Sequence, residues 1–331
     1  MLASKFWKDS VPSDKIKNIV VVKLDEIGDM TTAVHVFELL KQHAPNARLT
    51  VLCKAFVGSL ISADPHIDEI IFNSADLPEK VDVWVELRGN WKTFLLSIVK
   101  TKKVRLDRGT VRFRQRGNQA HERDTNFRII KPLIGDVQFE CKPLFVSEID
   151  KEKAVEIFNS LVKNRQDRDK PFVVIHPGGR SLLRRWPAKR FAELINEIHR
   201  QYGLKSLVIG TPDEASILNE IEKATLNNSV IWLTKSSLGT FASVISKAVL
   251  FIGNESGPLQ IADIMGVKSI GLFGPGVSNV FYPKTPGSQI IHNILDCNPC
   301  DQVHCVKPEM KCIDMISVQE VLLRLPQMGL A

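Results

Sequence analysis

An aspartate follows the first apolar run of the chain, in a position that suits proton transfer. The run Asn18–Lys23 leads into Leu-Asp-Glu-Ile-Gly-Asp, so Gly28 permits a tight strand-to-helix turn and Asp29 comes at the start of a helix. A carboxylate there can take a proton from an attacking hydroxyl group, which makes Asp29 a candidate general base. An isolated aspartate could equally cap the free N–H groups of the helix. No GxGxxG motif is present, which counts against a dinucleotide-dependent dehydrogenase.

The second half of the chain begins with a strand that suits an anionic ligand where it ends. After His176 come Pro-Gly-Gly, which exposes backbone amides, and then Arg184 and Arg185, which supply fixed positive charge. A solvated pair of arginines in front of a helix is the alternative. At the next strand end, Glu214 could accept hydrogen bonds from ribose hydroxyls, or it could simply complement the helix dipole. One strand later, Thr234 could line a pocket for the base.

The loop Gly-Asn-Glu-Ser-Gly-Pro-Leu-Gln has the composition of a phosphate site. Ser256 and Gly257 let a ligand approach the backbone, and the following helix offers free N–H groups and the positive end of its dipole. Glu255 could accept hydrogen bonds from sugar hydroxyls, whereas a structural capping box is the competing interpretation. Three such loops along one rim predict a binding site more strongly than any one of them.

Alternating strands and helices position these loops. Val-, Ile- and Leu-rich runs alternate with helix-period segments in both halves, which predicts the α/β class with parallel sheets covered on both faces. We expect two Rossmann-like domains, residues 1–150 and residues 151–331, facing a central cleft. The predicted strands are Asn18–Lys23, Leu49–Cys53, Glu69–Phe72, Val81–Glu86, Phe172–Ile175, Ser206–Ile209, Val230–Leu233, Leu250–Ile252 and Ser269–Leu272.

The amino-acid composition is that of an ordinary globular protein. The chain has 331 residues, of which 44% are hydrophobic and 24% charged, as in ordinary globular proteins. No apolar run reaches the roughly 18 residues of a transmembrane helix. The first residues lack the apolar core of a signal peptide, so we expect a cytoplasmic protein.

Positive charge is concentrated in one segment. Residues 100–131 hold eleven basic and three acidic side chains, whereas the whole chain has a net charge of +7. Such a segment attracts phosphate on nucleic acid, anionic lipid or a phosphorylated glycan, unless it is a solvated loop without a partner. Only Phe113 and Phe127 interleave with the charges, too few aromatic rings to favour single-stranded nucleic acid.

Four cysteines fall within sixteen residues, with the spacing Cys-x2-Cys-x4-Cys-x6-Cys. In a cytosolic protein such a cluster suggests a metal ion rather than disulfides, so we expect a possible structural zinc or iron. Free thiols in a surface loop are the alternative, since the spacing is not that of a familiar zinc finger. The candidate ligands are Cys297, Cys300, Cys305 and Cys312.

Together these motifs resemble glycosyltransferase family 9, the bacterial ADP-heptose:lipopolysaccharide heptosyltransferases. The matching segments are Leu-Asp-Glu-Ile-Gly-Asp, His-Pro-Gly-Gly with Arg-Arg-Trp-Pro-Ala-Lys-Arg-Phe, Gly-Asn-Glu-Ser-Gly-Pro-Leu-Gln-Ile-Ala, and Leu-Phe-Gly-Pro followed by Cys-x2-Cys. Their order extends from about residue 18 to about residue 325, nearly the whole chain.

The resemblance implies a GT-B fold and an inverting transfer that needs no metal ion or other cofactor. The N-terminal domain would hold a lipopolysaccharide core acceptor, and the C-terminal domain a nucleotide sugar such as ADP-heptose. By the resemblance, Asp29 is the base, Arg184 neutralises the diphosphate where the family commonly has lysine, and the amides around Ser256 and Gly257 assist. The other residues expected to contact the donor are Gly28, Glu214, Thr234, Glu255 and Gln260. An anionic inner membrane surface is the expected further partner, and nucleic acid is not.

Two residues depart from the family pattern. The family usually has Asp-Ser-Gly-x-x-His in the donor loop, whereas this chain has Glu255 and Gln260 at the acidic and the last position. Glutamine removes a titratable ring but keeps hydrogen bonding. Two other functions stay open at this point: a sugar-nucleotide epimerase or hydrolase that acts on the donor alone, and, ranked last, a non-catalytic nucleic-acid-binding module.

Overall fold

A computed structural model describes residues 11–114, 119–162, 168, 170–225, 229–300 and 302–330. The chain divides into two compact units, Met1–Phe145 and Val146–Ala331. The division precedes helix α7 (Glu148–Leu161), which packs against a helix of the second unit. Residue 150, where the sequence analysis placed the boundary, therefore lies within α7.

The first unit is built on a five-stranded parallel sheet with the order β3-β2-β1-β4-β5. In the central strand, Val21 lies opposite Val51 on one side and Val85 on the other. Both faces of this strand are buried, which explains its continuous run of branched apolar residues. The strands are β1 (Asn18–Lys23), β2 (Arg48–Cys53), β3 (Glu69–Ile71), β4 (Val81–Arg88) and β5 (Thr101–Asp107).

Among the described residues of the first unit, six helices accompany this sheet. Val20, Val22, Leu52 and Trp84 of the strands share one face of the sheet and form a buried core there. The helices are α1 (Ile27–Thr31), α2 (Val34–His43), α3 (Ala55–Ile61), α4 (Trp91–Lys100), α5 (Arg108–Arg114) and α6 (Glu122–Ile134).

The second unit contains a six-stranded parallel sheet with the order β11-β10-β9-β6-β7-β8. Its strands are β6 (Phe172–His176), β7 (Lys205–Gly210), β8 (Ser229–Leu233), β9 (Leu250–Asn254), β10 (Ser269–Phe273) and β11 (Gln289–His292). After α7, its helices are α8 (Ala188–Tyr202), α9 (Ala215–Ala224), α10 (Leu238–Ile245), α11 (Gly257–Ile264), α12 (Ser278–Phe281) and α13 (Val318–Leu322).

One tryptophan ties the C-terminal segment to the second unit. Trp186 is fully buried, and its indole Nε1 donates to the carbonyl oxygen of Ile316 over 2.8 Å. Helix α13 packs against α8, whose inner face buries Phe191, Leu194 and Ile198. The C-terminal segment from Ile313 to Met328 therefore contributes to the core of this unit.

Both sheets have the strand order of a Rossmann fold, which confirms the predicted α/β class with two Rossmann-like units. In each unit the order reverses next to the first strand, between β1 and β4 and between β6 and β9. Ligands of such sheets bind outside the carboxyl ends of the strands at this reversal. Among the described residues, no helix is both long and apolar enough to cross a membrane.

Candidate functional site

Asp29 lies in the first turn of α1, directly after the central strand of the first unit. Among the described residues, no hydrogen-bond donor contacts its carboxylate, and thus the capping interpretation finds no support. The pKa of Asp29 is raised, chiefly because the carboxylate is buried. The nearby cations Lys23 and Arg108 lower this pKa, and the carboxylates Asp25 and Glu122 raise it further. A carboxylate with a raised pKa that is only partly exposed has the properties of a general base.

Gly28 lies beside Asp29 within the same first turn. Its carbonyl oxygen accepts a hydrogen bond of 2.7 Å from the Thr31 hydroxyl group, and the Asp29 carbonyl accepts one of 2.7 Å from Thr32. These two bonds fix the short helix that carries the aspartate. Gly28 belongs to the first unit, whereas the other residues predicted to bind the donor belong to the second, and its own role toward the donor stays a prediction.

A buried network of charges accompanies Asp29. Lys23 is completely buried at the end of β1, with its Nζ 3.0 Å from Asp25 and 3.6 Å from Glu122. Arg108 forms a two-point pair with Glu122, in which Nη2 lies 2.7 Å from Oε2. Burial would raise the pKa of Glu122, but Arg108 and Lys23 outweigh it and lower the pKa. The network sets the electrostatic surroundings of Asp29.

In the second unit, Asn254 joins three loops across the reversal of strand order. It ends β9 fully buried, and its Nδ2 donates to the carbonyl oxygens of Pro177, over 2.8 Å, and Gly178, over 3.0 Å. Its Oδ1 accepts from the backbone N–H of Trp186 over 3.1 Å. Asn254 therefore holds the Pro-Gly-Gly loop, the arginine loop and the predicted phosphate loop together, a role that the sequence analysis missed.

Ser256 precedes α11 without capping it. Its hydroxyl group lies 3.0 Å from His176 Nδ1 and donates to the carbonyl oxygen of Asn254 over 3.0 Å. It therefore makes no side-chain bond to the first amides of the eight-residue helix that begins at Gly257. Helix N-termini without side-chain caps bind anions well, so the start of α11 suits a phosphate group.

Arg184 and Glu255 form a mostly buried pair beside this helix start. Arg184 Nη1 lies 3.2 Å from Glu255 Oε1, and Arg184 Nε donates to Gln302 Oε1 over 2.5 Å. Burial raises the pKa of Glu255, and Arg184 lowers it in part. A Cβ atom at Gly276 would lie only 1.8 Å from Glu255 Oε2, which explains why glycine stands there.

One oxygen of this pair lacks a partner. Glu255 is 6% exposed, and its Oε2 is buried without a hydrogen bond among the described residues. Leaving a buried carboxylate oxygen unsatisfied is costly, so such an atom indicates a ligand that donates a hydrogen bond. The contact between Glu255 and sugar hydroxyls stays a prediction.

Gln260 and Thr234 are less clearly directed toward a ligand. Gln260 Nε2 donates to the carbonyl oxygen of Phe281 over 2.6 Å, and its Oε1 is buried without a partner among the described residues. The backbone N–H of Thr234 donates to the Gly210 carbonyl over 2.9 Å, and its hydroxyl lies 3.0 Å from that of Ser236. Their contacts with a donor stay predictions.

Glu214 is engaged by the protein itself. Its Oε1 accepts from the backbone N–H of Gly179 over 3.0 Å, and its Oε2 accepts from the N–H and hydroxyl of Thr211 over 2.9 and 3.2 Å. Gly179 has a φ of +152°, a conformation that favours glycine. Glu214 therefore holds the Pro-Gly-Gly loop in shape, and its contact with ribose stays a prediction.

The four clustered cysteines line one small cavity of about 20 Å³ and form no disulfides. Burial raises the pKa of Cys312, whose Sγ lies 3.9 Å from Asn298 Nδ2. Within the described ranges, no three His, Cys, Asp or Glu side chains are placed to share a metal ion. The structure thus gathers Cys297, Cys300, Cys305 and Cys312 around one cavity without forming a ready ligand set.

Part of the predicted basic segment is neutralised within the first unit. Lys100 donates to the carbonyl oxygens of Leu77 and Pro78. Lys103 pairs with Asp82 over 3.0 Å, and Arg105 with Asp107 over 2.9 Å. Arg108 forms an ion pair with Glu122. Arg116 lies outside the described residues. Fewer charges are therefore available to a partner than the sequence suggests.

Comparison with known proteins points to a family. Residues 138–311 match the profile described as glycosyltransferase family 9 (heptosyltransferase). Lipopolysaccharide heptosyltransferase 3 of Escherichia coli is 26% identical over 284 residues, which cover 75% of this chain and 80% of that protein.

Two solved structures share the fold. A glycosyl transferase family 9 protein of Veillonella parvula DSM 2008 has a TM-score of 0.78 at 19% identity, over 96% of this chain and 98% of that one. The E. coli ADP-heptose lipopolysaccharide heptosyltransferase II has a TM-score of 0.72 at 19% identity, over 94% and 98%. The predicted GT-B fold class is confirmed by this likeness.

Proposed function

Because the chain belongs to glycosyltransferase family 9 and is a glycosyltransferase, we propose that it moves a heptose or a related sugar from an ADP-linked donor to a lipopolysaccharide or lipooligosaccharide core. The observation that carries this proposal is the unsatisfied Glu255 Oε2 beside Arg184 and the uncapped start of α11. A sugar diphosphate has the matching groups, since its hydroxyls donate hydrogen bonds and its phosphates accept them. The E. coli relative named for ADP-heptose supports the choice of donor.

The donor half of the reaction rests on fixed positive charge. Arg184 and the first amides of α11 would bind the diphosphate and stabilise the negative charge that develops on it as the glycosidic bond breaks. Glu255 would hold the sugar through its hydroxyl groups. Because a side chain and a helix terminus supply the charge, we propose that the transfer needs no divalent metal ion.

The acceptor half rests on Asp29. Its carboxylate would take the proton from the acceptor hydroxyl as that oxygen attacks the anomeric carbon, which passes through an oxocarbenium-like state. Attack from the face opposite the leaving diphosphate inverts the configuration. The raised pKa of Asp29 favours this proton transfer.

A donor and acceptor panel tests the proposal. We expect the purified protein to form product from ADP-heptose and deacylated lipopolysaccharide core, with little product from UDP- or GDP-linked sugars and no loss of rate with a chelator. Consumption of the donor without any acceptor would instead favour the epimerase or hydrolase. No reaction with any pair would contradict the proposed function.

Calorimetry tests the role of Arg184. Arg184→Ala should weaken the binding of ADP by roughly 1.5–3 kcal/mol and leave that of adenosine nearly unchanged, because a charge-assisted bond to phosphate is lost. Lys189→Ala, which removes an exposed charge from the next helix, is the matched control. An equal loss for ADP and adenosine would mean that Arg184 does not contact the diphosphate.

We further propose that the protein works in the cytoplasm, at the inner face of the inner membrane. A lipid-linked core acceptor is attached to that membrane, so an enzyme that acts on it must reach the bilayer surface.

We also propose that the four cysteines bind one structural zinc or iron ion. Their common cavity supports the proposal, although the loop must draw the thiols closer to form a ligand set. Protein purified without chelator should contain about one metal ion per chain, and Cys300→Ser should release it. Cys141→Ser, outside the cluster, is the control. Absence of metal from fresh, reduced protein would contradict the proposal.

A further inference from the structure

Helix α4 turns its hydroxyl side chains inward and most of its large apolar side chains outward. Thr93 and Ser97 are buried against the sheet, whereas Trp91 is 76% exposed and Val99 is 73% exposed. The exposed positions recur every three or four residues and form one stripe along the helix. The stripe, here called the outer face of α4, consists of Trp91, Phe94, Leu95, Ile98 and Val99.

Hydrogen bonds fix this orientation. Thr93 donates to the buried Glu86 Oε1 over 3.1 Å, and Trp84 Nε1 donates to Glu86 Oε2 over 3.0 Å. Ser97 accepts a bond of 2.7 Å from Arg105 Nε, and a capping box starts the helix at Asn90. Rotating the helix to bury its apolar stripe would break these bonds, so the outer face stays exposed.

Exposed positive charge accompanies the outer face. Lys103, Arg105 and Arg108 pair with carboxylates of the first unit and do not add to it. Lys92 on α4 and Lys102 on β5 are exposed, as is Arg112 further along. An apolar stripe rich in Trp, Phe, Leu and Ile with basic neighbours has the chemistry of a helix that lies in the surface of an anionic bilayer.

We propose that the outer face of α4 inserts into the interfacial region of an anionic lipid bilayer. The ten-residue helix is about 15 Å long, too short to cross a membrane, so it lies in the plane of the surface. Trp91 would sit at headgroup level, as tryptophan does at membrane interfaces. The inference rests on the proposed function, because a lipid-linked acceptor would be held in the same surface.

Vesicle sedimentation tests the contact. The wild-type protein should bind vesicles of phosphatidylcholine and phosphatidylglycerol, and bind phosphatidylcholine alone more weakly. The variant Trp91→Gln/Leu95→Gln/Val99→Gln, which leaves Phe94 and its contact with Arg105 in place, should bind at least about tenfold more weakly. Its matched control removes three exposed apolar side chains of the second unit and should bind as the wild type does: Ile149→Gln/Val155→Gln/Leu323→Gln.

Two further measurements exclude trivial explanations. Both triple variants should unfold at the wild-type temperature, because only exposed side chains change. Lipids brominated in their acyl chains should quench the wild-type fluorescence, and Trp91→Phe should lose that quenching.

The outcomes separate the inference from the proposed function. If the α4 variant bound vesicles as the wild type does, the inference would be wrong. The inference would also be wrong if the wild type formed a dimer, the α4 variant stayed a monomer, and both bound vesicles equally. A second copy of the chain would then cover this face. A wild-type protein that binds vesicles through α4 but transfers no sugar would support the inference and refute the proposed function.

Discussion

Replacing Glu214 by glutamine should destabilise the second unit, because both carboxylate oxygens accept hydrogen bonds from the protein. Gly179 donates to one oxygen, and the N–H and hydroxyl groups of Thr211 donate to the other. Glutamine keeps the volume but has only one accepting oxygen. Its amide group would face another donor on one side or the other.

The shifted pKa of Glu214 sets the magnitude. Burial alone would raise this pKa, but His176 and the amides of Thr211 and Gly179 outweigh it and lower the pKa from 4.5 to about 2. At 1.36 kcal/mol per pKa unit, this difference favours the folded carboxylate by about 3 kcal/mol. Because the folded-state pKa is lowered, the stabilisation is complete above pH 4.5 and is lost as the pH falls toward 2.

Urea unfolding followed by tryptophan fluorescence measures the effect. At about pH 7, Glu214→Gln should lower the free energy of unfolding by about 3 kcal/mol, and the difference should shrink at about pH 3.5. Glu220→Gln, an exposed position on α9, is the control and should cost less than about 0.5 kcal/mol. Equal stability of Glu214→Gln and the wild type at neutral pH would refute the structural role. If that stable variant also lost affinity for ADP, the carboxylate would serve the ribose instead.

Three further changes test other parts of the two units. Asp29→Asn should lower turnover by at least about 10²-fold in a single-turnover transfer assay without changing the melting temperature, and a near wild-type rate would rule out Asp29 as the base. Lys23→Met should lower stability by roughly 3–5 kcal/mol in urea, against less than about 1 kcal/mol for the control Lys54→Met, which breaks a more exposed pair with Glu26. Since Lys23 lowers the pKa of Asp29, Lys23→Met should also move the acidic limb of the pH–rate profile to higher pH, and an unmoved limb would separate the two residues. Asn254→Ala should lower stability by about 2 kcal/mol or more and weaken ADP binding in calorimetry, whereas wild-type values for both would show that the loops hold without it.

The sequence predicts the central strands better than the edge strands. The buried strands β1, β6 and β9 are continuous apolar runs, and all three were predicted. Of the four edge strands, β3 and β8 were predicted, whereas β5 and β11 were not. Edge strands need only partial burial, so β5 carries charged residues in most positions and β11 has only four residues.

Only part of the candidate site could likewise be predicted from the sequence. Turn residues such as Asp29, Ser256 and Gly257 could be proposed because strand-to-helix turns have local signatures. The bonds of Asn254 could not, because its acceptor Pro177 lies 77 residues away along the chain. Glu214 illustrates the ambiguity, since the sequence favoured ribose binding and a role at the helix dipole equally, and neither predicts its contact with Gly179, 35 residues away.

Charge counted along the sequence overstates the positive charge that is unpaired in the structure. The excess at residues 100–131 predicted an electrostatic surface, but the sheet brings Lys103 next to Asp82, and Arg108 next to Glu122. The apolar outer face of α4 begins before that segment, at Trp91. Periodicity suggests a buried face for such a helix, and only the hydrogen bonds of Thr93 and Ser97 reveal which face points inward.

The buried charges around Lys23 also constrain how the protein is made. Lys23 leaves the ribosome early, whereas its partner Glu122 and the Arg108 that holds Glu122 are synthesised about a hundred residues later. Burying this ammonium group before then would leave Glu122 and Arg108 out of the network, and an incompletely compensated buried charge costs several kcal/mol. We therefore expect that the first unit does not finish folding strand by strand during translation. Its surroundings for Asp29 are completed only once α6 has been synthesised and packed, so a nascent chain stalled before residue 122 should remain open to proteases and chaperones.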